Sequence, residues 1–301
     1  METYSMKYGT WNDWVQASRP PFYIATLIPL TMGFVLAGNE GIWQPVRFLI
    51  VNLGAFLVHL AANVGNDYFD HLQGSDSGSS IGGSRVIQEN KISPEVLLIS
   101  IILMYTGAAA IAIYLTSSLN LWGLWWLISF AFLSSLFYVA PPIRYGYRGL
   151  GELFVGLNMG PVMVLGSYWV MTGIPSAEAV WVSIPAALMV AFILYYQSLP
   201  DMITDESIGK RTLAVRLGKR GAYYGLIVFG VIIYSLIITE YLMGIYSIVI
   251  LFSFITIPLF IKILMLAKRT SDWVELDRHG IYVRLFYLIN GVILILAILK
   301  K

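Results

Sequence analysis

The 301-residue chain contains no cysteine, so disulfides, thiolate metal sites and cysteine nucleophiles are all excluded. Histidine is nearly absent too. The three present, His59, His71 and His279, do not cluster in sequence as zinc ligands would, so any metal must be held by oxygen. Charge is scarce, at 12% of residues, and the net charge of +2 is too small to suggest a nucleic-acid partner. Residues 1–19 lack the apolar core of a signal peptide, so the first apolar run is expected to be retained as a membrane helix. What fills the composition instead is hydrophobic side chain, at 58% with a mean hydropathy of +0.74. A soluble domain is roughly 45–50% apolar and about 25% charged, so this is the composition of an integral membrane protein.

Crossing a bilayer takes about 20 predominantly apolar residues. Nine stretches meet this expectation, at about 20–38, 46–66, 94–116, 121–140, 151–173, 178–200, 222–240, 244–267 and 281–299. The narrowest boundary is the short turn around Gly244 between the seventh and eighth. Fifteen of the nineteen Lys and Arg residues fall in loops on the N-terminal side, including Arg19, Arg85, Arg144, Lys210 and Arg211. The positive-inside rule therefore places the N-terminus and every sizeable loop in the cytoplasm, and the C-terminus outside, in a protein of the cell membrane. Trp122, Trp125 and Trp126 read as anchors at the outer interface.

Two loops on the cytoplasmic side carry matching acidic blocks. After the second span comes Asn66-Asp67-Tyr68-Phe69-Asp70, with Gly74 four residues later. After the sixth comes Asp201-Met202-Ile203-Thr204-Asp205, with Gly209 four residues later. The two blocks follow the second and the sixth span and so stand four spans apart, which suggests a duplicated four-helix unit (about 20–140 and 151–267) plus one helix (about 281–299), forming a single domain over 1–301. Repeat interfaces often hold the functional site of membrane proteins.

On a helix, Asp67 and Asp70 are neighbours at i, i+3, and His59, Asn63 and Asn66 continue their stripe toward the bilayer. Asp201 and Asp205 pair at i, i+4. Carboxylates close together at helix C-terminal ends repel one another and oppose the helix dipole. A divalent cation offsets both effects, and carboxylates with an amide oxygen describe a site for magnesium, which keeps water and substrate phosphate among its ligands. The plainer reading is that these aspartates merely end membrane helices in water. It is weaker for two matching blocks than for either alone.

Basic residues follow each block, as Gly82-Gly83-Ser84-Arg85 and Gly209-Lys210-Arg211-Thr212. Glycine lets backbone amides approach an anion, and Lys and Arg neutralise phosphate, so block and basic segment together resemble a clamp for pyrophosphate. Positive-inside charge alone accounts for Arg216, Lys219 and Arg220. Tyr138, Arg144, Tyr145, Tyr147 and Arg148 mix aromatic faces with cations in a third loop, where interfacial tyrosine is the simpler reading for Tyr145 and Tyr147. Arg19 either adds a phosphate ligand or marks the interface. His59 reads as a satisfied polar group in a helix bundle.

Four motifs, Asn63-x-x-Asn66-Asp67-x-x-Asp70-x5-Asp76, Gly82-Gly83-Ser84-Arg85-Val86-Ile87, Tyr138-x-x-Pro141-Pro142-x-Arg144 and Asp201-x3-Asp205-x3-Gly209-Lys210-Arg211-Thr212-Leu213, resemble the UbiA superfamily of intramembrane prenyltransferases. The likeness runs from Arg19 to about residue 221 and looks closest to the branch that prenylates 1,4-dihydroxy-2-naphthoate in menaquinone synthesis. Gln197-Ser198-Leu199-Pro200 departs from that branch, which more often has asparagine and arginine there. The resemblance implies nine helices around a central cavity with a cytoplasmic cap. It also implies a magnesium-dependent reaction, with two ions per site, in which a prenyl pyrophosphate of geranyl or geranylgeranyl type ionises to an allylic cation that alkylates a lipid-soluble aromatic acceptor. Carried over residue by residue, it implies that Asp67, Asp70, Asp201 and Asp205 hold magnesium, with Asn63 and Asp76 assisting. Arg85, Lys210 and Arg144 then contact the pyrophosphate, with Asn66, Arg211 and Arg19 also on the substrate side, and Tyr138 stands near the reacting carbon.

Alternatives remain on the sequence alone. A glycerol-phosphate lipid could replace the aromatic acceptor, as in an archaeal-type lipid synthase. A CDP-alcohol phosphotransferase would need a DG-x2-AR-x8-G-x3-D-x3-D block, which the chain lacks. A cation transporter would need ionisable groups near the bilayer midplane, and the outer halves of the spans carry almost none.

Overall fold

The computed structural model describes residues 6–74 and 82–299. Among these the chain is all-helical, and the only β pairing is an isolated bridge between Tyr8 and Ile92. The helices are α1 (Trp11–Ser18), α2 (Ile24–Asn39), α3 (Pro45–Leu72), α4 (Pro94–Ser118), α5 (Trp125–Leu136), α6 (Gly151–Leu157), α7 (Met163–Thr172), α8 (Ala177–Gln197), α9 (Met202–Ser207), α10 (Leu213–Leu242), α11 (Ile257–Arg269) and α12 (Gly280–Leu299).

Among the described residues seven helical segments are long and apolar enough to cross a membrane, or eight if the bent pair Trp11–Phe22 and Ile24–Asn39 counts as one span. The two of the nine expected spans that fall short are helical but brief. α2 has 16 residues after a 55° bend, and the expected 121–140 span is the segment Trp122–Leu136. At 1.5 Å per residue the 12 residues of α5 cover only about 18 Å. By the same measure the 28 residues of α3 reach about 42 Å, beyond the ~30 Å hydrocarbon layer, so its last turns carry Asp67 and Asp70 out of the apolar zone. Large apolar side chains such as Leu49, Leu53, Ile102, Leu103, Val231 and Ile232 lie exposed on the outside of the bundle, where only lipid would cover them.

Proline shapes two spans. Pro161 has no N–H to continue an α ladder, and between α6 and α7 the chain widens into a π turn over Asn158–Val162. Pro258 likewise cannot donate to Phe254, and the segment before α11, Ile248–Thr256, is wound as a 3-10 helix. Near the start of α10, Gly218 takes a left-handed conformation (φ 65°), so the helix begins at Leu213 as an amphipathic piece and turns there into the span expected from 222.

The main core joins α2, α7, α8, α10 and α12, with Phe192 packed against Phe229, Phe260 and Phe286 at centroid distances of 5.7–5.8 Å. α2 crosses α7 closely because Gly33 has no side chain. A Cβ there would stand 2.4 Å from the Val164 carbonyl oxygen, and Ser167 Oγ donates across the crossing to Leu30 O at 2.8 Å. A second, smaller core of Ala17, Val64, Val86, Ile92, Val96, Leu97 and Ile101 pins the loop after residue 82 against α1, α3 and α4. It fixes that loop beside the acidic end of α3.

Candidate active site

The first acidic block is built from three segments. α1 starts with a reciprocal capping box between Thr10 and Asp13 and stops at Arg19, whose left-handed backbone (φ 53°) precedes Pro20 and turns the chain into α2. That turn brings the Arg19 guanidinium onto Asp67 as an ion pair. Asp67 is 2% exposed and also accepts from Ser84, whose N–H reaches Oδ1 at 2.9 Å and whose Oγ donates to Oδ2. Gly83 (φ 78°) allows the backbone to fold back this far. Asn63 Nδ2 donates to Ser18 O at 3.1 Å and locks the end of α1 onto α3. Gln16 Nε2 donates to Ser84 O at 2.7 Å and so braces the loop from the other side.

Asp70, one turn further along α3, accepts from Tyr147 Oη at 2.6 Å. Lys210 Nζ lies 4.0 Å from Asp70 and 3.3 Å from Asp205, so a single half-buried ammonium joins the two acidic blocks. It also stands 4.9 Å from the centre of the Tyr147 ring, in cation–π range. Asp201 caps the short helix α9, and its carbonyl accepts from Asp205 N at 2.8 Å, while Lys210 N donates to Asp205 O at 2.9 Å. Burial raises Asp205 to about 6, with Lys210 pulling it down and Asp201 and Asp70 pushing it up. Burial also works against the Lys210 charge, but Asp70 and Asp205 outweigh it and hold the ammonium above its ordinary value.

Among the described residues no three Asp, Glu, His or Cys side chains converge at metal-ligand spacing. Arg19 and Lys210 lie against the carboxylates instead. The donor set still suits a hard divalent ion, because Asp67, Asp70 and Asp205 are buried carboxylates, Asn63 offers an amide oxygen beside them, and the chain has no cysteine to supply a thiolate. Asp76 lies outside the described residues.

Directly beneath this end opens a cavity of about 560 Å³, running between α2, α3, α4, α5, α7 and α8. Arg19, Asn63, Asn66, Tyr138 and Gln197 line its acidic end, and Leu115, Thr116, Leu124 and Trp125 its far end. The walls between are mostly apolar, interrupted by polar groups such as His59, Tyr105 and Asn158, with small residues Ala108, Ala109 and Ala112 along α4. Tyr138 packs edge-on against Tyr145 at 5.4 Å. His59 lines the cavity with Nδ1 tied to Thr26 Oγ1 at 2.5 Å and its ring stacked on Phe56, a satisfied polar group as expected.

Some expected residues stand elsewhere. Arg85 sits in the left-handed region (φ 65°) beyond Ser84 and within electrostatic reach of Glu89. Arg144 and Arg211 line a separate pocket beside Tyr147. Ser84 and Tyr147, which hold Asp67 and Asp70, carried no signal as ligands. Ser84 was hidden among glycines, and Tyr147 reads as an interfacial tyrosine until the loop is seen to fold over α3.

Residues 26–277 match the UbiA prenyltransferase family. A 1,4-dihydroxy-2-naphthoate octaprenyltransferase from Bacillus subtilis is 29% identical over 210 residues, 69% of this chain and 66% of that protein. The chain thus spans just under two thirds of that relative. Among solved structures, a UbiA homolog from Aeropyrum pernix K1 superposes with a TM-score of 0.65 at 17% identity, over 91% of this chain and 97% of that one. A UbiA homolog from Archaeoglobus fulgidus bound to GPP and Mg2+ superposes at 0.56 and 16% identity, over 96% and 100% of the two chains.

Proposed function

The chain belongs to the UbiA prenyltransferase family, and from that premise we propose that it transfers an isoprenyl group from a prenyl pyrophosphate to an aromatic quinone precursor such as 1,4-dihydroxy-2-naphthoate. The observation that carries this reading is the junction of two chemistries. A long apolar cavity ends at Arg19, Asn63 and Asn66, directly against two acidic blocks joined by Lys210. An amphiphile with an apolar tail and a pyrophosphate head is the substrate such a junction fits.

Asp67, Asp70, Asp201 and Asp205 would hold magnesium, two ions per site, with Asn63 beside them. When bound, the metal would neutralise the negative charge that develops on the leaving pyrophosphate. The remaining chemistry belongs to side chains. Lys210 and Arg19 sit where they can turn from their carboxylates to the phosphate oxygens, adding charge-assisted hydrogen bonds as the C–O bond breaks. The apolar walls exclude water, which would otherwise quench an allylic cation. Tyr138 offers its ring at the acidic end of the cavity, where the reacting carbon would lie.

The proposal includes the architecture. Nine membrane segments, two of them short, surround the cavity. The loops after α3 and α8 cap it on the cytoplasmic side, and the two acidic blocks descend from an internal repeat over about 20–140 and 151–267. The N-terminus is cytoplasmic and the C-terminus lies outside. Purified protein given magnesium, geranylgeranyl pyrophosphate and a panel of aromatic and glycerol-phosphate acceptors should yield a prenylated naphthalene by mass. Prenylation of the glycerol-phosphate acceptor alone would overturn the choice of acceptor.

A further inference from the structure

Arginine gathers in a second place that prenyl transfer as described above does not use. Arg144 and Arg148, from the loop before α6, Arg211, from the segment leading into α10, and Arg216, from the first turn of α10, line one pocket of about 390 Å³ together with Gln73. The positive-inside rule accounts for the sign of these residues, but it does not require them to converge. Here they are brought together by folding. Arg211 N donates to Tyr147 O at 2.8 Å, Arg216 Nε donates to Arg211 O at 3.2 Å, and Arg144 and Gly149 adopt left-handed backbones (φ 47° and 70°) that bend the loop around Tyr147.

Guanidinium groups stay ionised. Arg144 is half-buried and Arg148, Arg211 and Arg216 are exposed, so water screens much of their repulsion, but four around one pocket favour an anion that all of them can face. Among the described residues only one carboxylate lies within 4.0 Å of any of the four, Glu206 at 3.8 Å from Arg211, and that pair is well exposed. The pocket volume corresponds to about a dozen waters at ~30 Å³ each, room for a two-phosphate anion with part of its hydration. Arginine's fork is the side chain that grips phosphate oxygens in pairs.

The pocket also has a fixed relation to the acidic centre. Tyr147 is the wall between them. Its hydroxyl donates to Asp70 at 2.6 Å, its ring faces Lys210, and the same residue lines the arginine pocket. An anion leaving the acidic centre past Tyr147 would meet these arginines next.

We propose that this arginine pocket is a second, metal-independent site for a phosphate-bearing anion, which receives pyrophosphate after it leaves the acidic centre. The role in receiving pyrophosphate rests on the proposed prenyl transfer, but the binding site itself is tested with neither prenyl donor nor acceptor, so its failure and that of the proposed reaction are distinguishable. The experiment is calorimetric titration of inorganic pyrophosphate into the full chain in nanodiscs of zwitterionic lipid, with EDTA present and magnesium absent. One saturable site per chain is expected. Its affinity should fall at least tenfold in an Arg148→Gln/Arg216→Gln variant and stay unchanged in an Asp67→Asn/Asp201→Asn variant, with a monodisperse profile and an unaltered melting curve showing that each is folded. No binding without metal, or binding lost with the aspartates and kept without the arginines, would overturn the proposal. Replacing part of the lipid with phosphatidylglycerol identifies the source. Competition by the anionic lipid would make a headgroup a second natural occupant of the same site, and undiminished affinity would leave the soluble anion as its ligand.

Discussion

At the scale of single residues, two cations, Arg19 and Lys210, compensate the carboxylates of Asp67, Asp70 and Asp205, which the folded protein buries away from water. A buried charge stripped of its partner costs about 3–5 kcal/mol. Lys210→Met should therefore lower the melting temperature in EDTA, and millimolar magnesium should restore most of that loss by supplying charge to Asp70 and Asp205. A melting curve indifferent to magnesium would show that Lys210 does not stand in for a metal. Ser84→Ala removes one hydroxyl donor from Asp67 and leaves the backbone donor in place. A hydrogen bond to a charged group is worth about 1.5–3 kcal/mol, so turnover should drop roughly tenfold to a hundredfold with the fold intact. Wild-type turnover would show that the loop does not position Asp67. The paired aspartates and Lys210 were legible in the sequence because charge is so rare in it. Ser84 and Tyr147 were not legible, because their role depends on which loop folds over α3, and that is decided by the packing of apolar residues such as Val86 and Ile92 against α1, α3 and α4.

At the scale of elements, the helix positions followed from hydropathy, while their forms depended on local backbone chemistry that a window average does not register. Pro161 and Pro258 change the winding of two spans, and Gly218 divides α10. The short α5 was read as a full span because its apolar run continues through residues that the structure uses for a turn before Tyr145. Close helix crossings were equally hidden. Gly33 looks like any glycine in a membrane helix, yet it sets the distance between α2 and α7. Gly33→Val would place a side chain against backbone, and overpacking of this kind costs about 1–3 kcal/mol or more. A clear fall in melting temperature is expected in detergent, and an unchanged value would mean that the crossing is not tight.

At the scale of the whole molecule, two compartments are in contact. An apolar cavity, proposed to hold a prenyl chain, ends at a charged mouth that is proposed to handle pyrophosphate. The mouth is proposed to face the cytoplasm. The natural absence of cysteine makes this directly measurable, because single cysteines can be introduced without a background. A cysteine in place of Arg269 should react with an impermeant maleimide only from the cytoplasmic side, and one in place of Gly173 only from the outside. The opposite pattern would invert the topology.

The most direct test of the central claim is prenyl transfer by the purified protein. With magnesium, geranylgeranyl pyrophosphate and 1,4-dihydroxy-2-naphthoate, mass spectrometry should find a prenylated naphthalene that disappears on chelation and in Asp67→Ala and Asp201→Ala, both of which still insert into the membrane. Full activity in either variant, or ion flux into liposomes with no transfer at all, would contradict it.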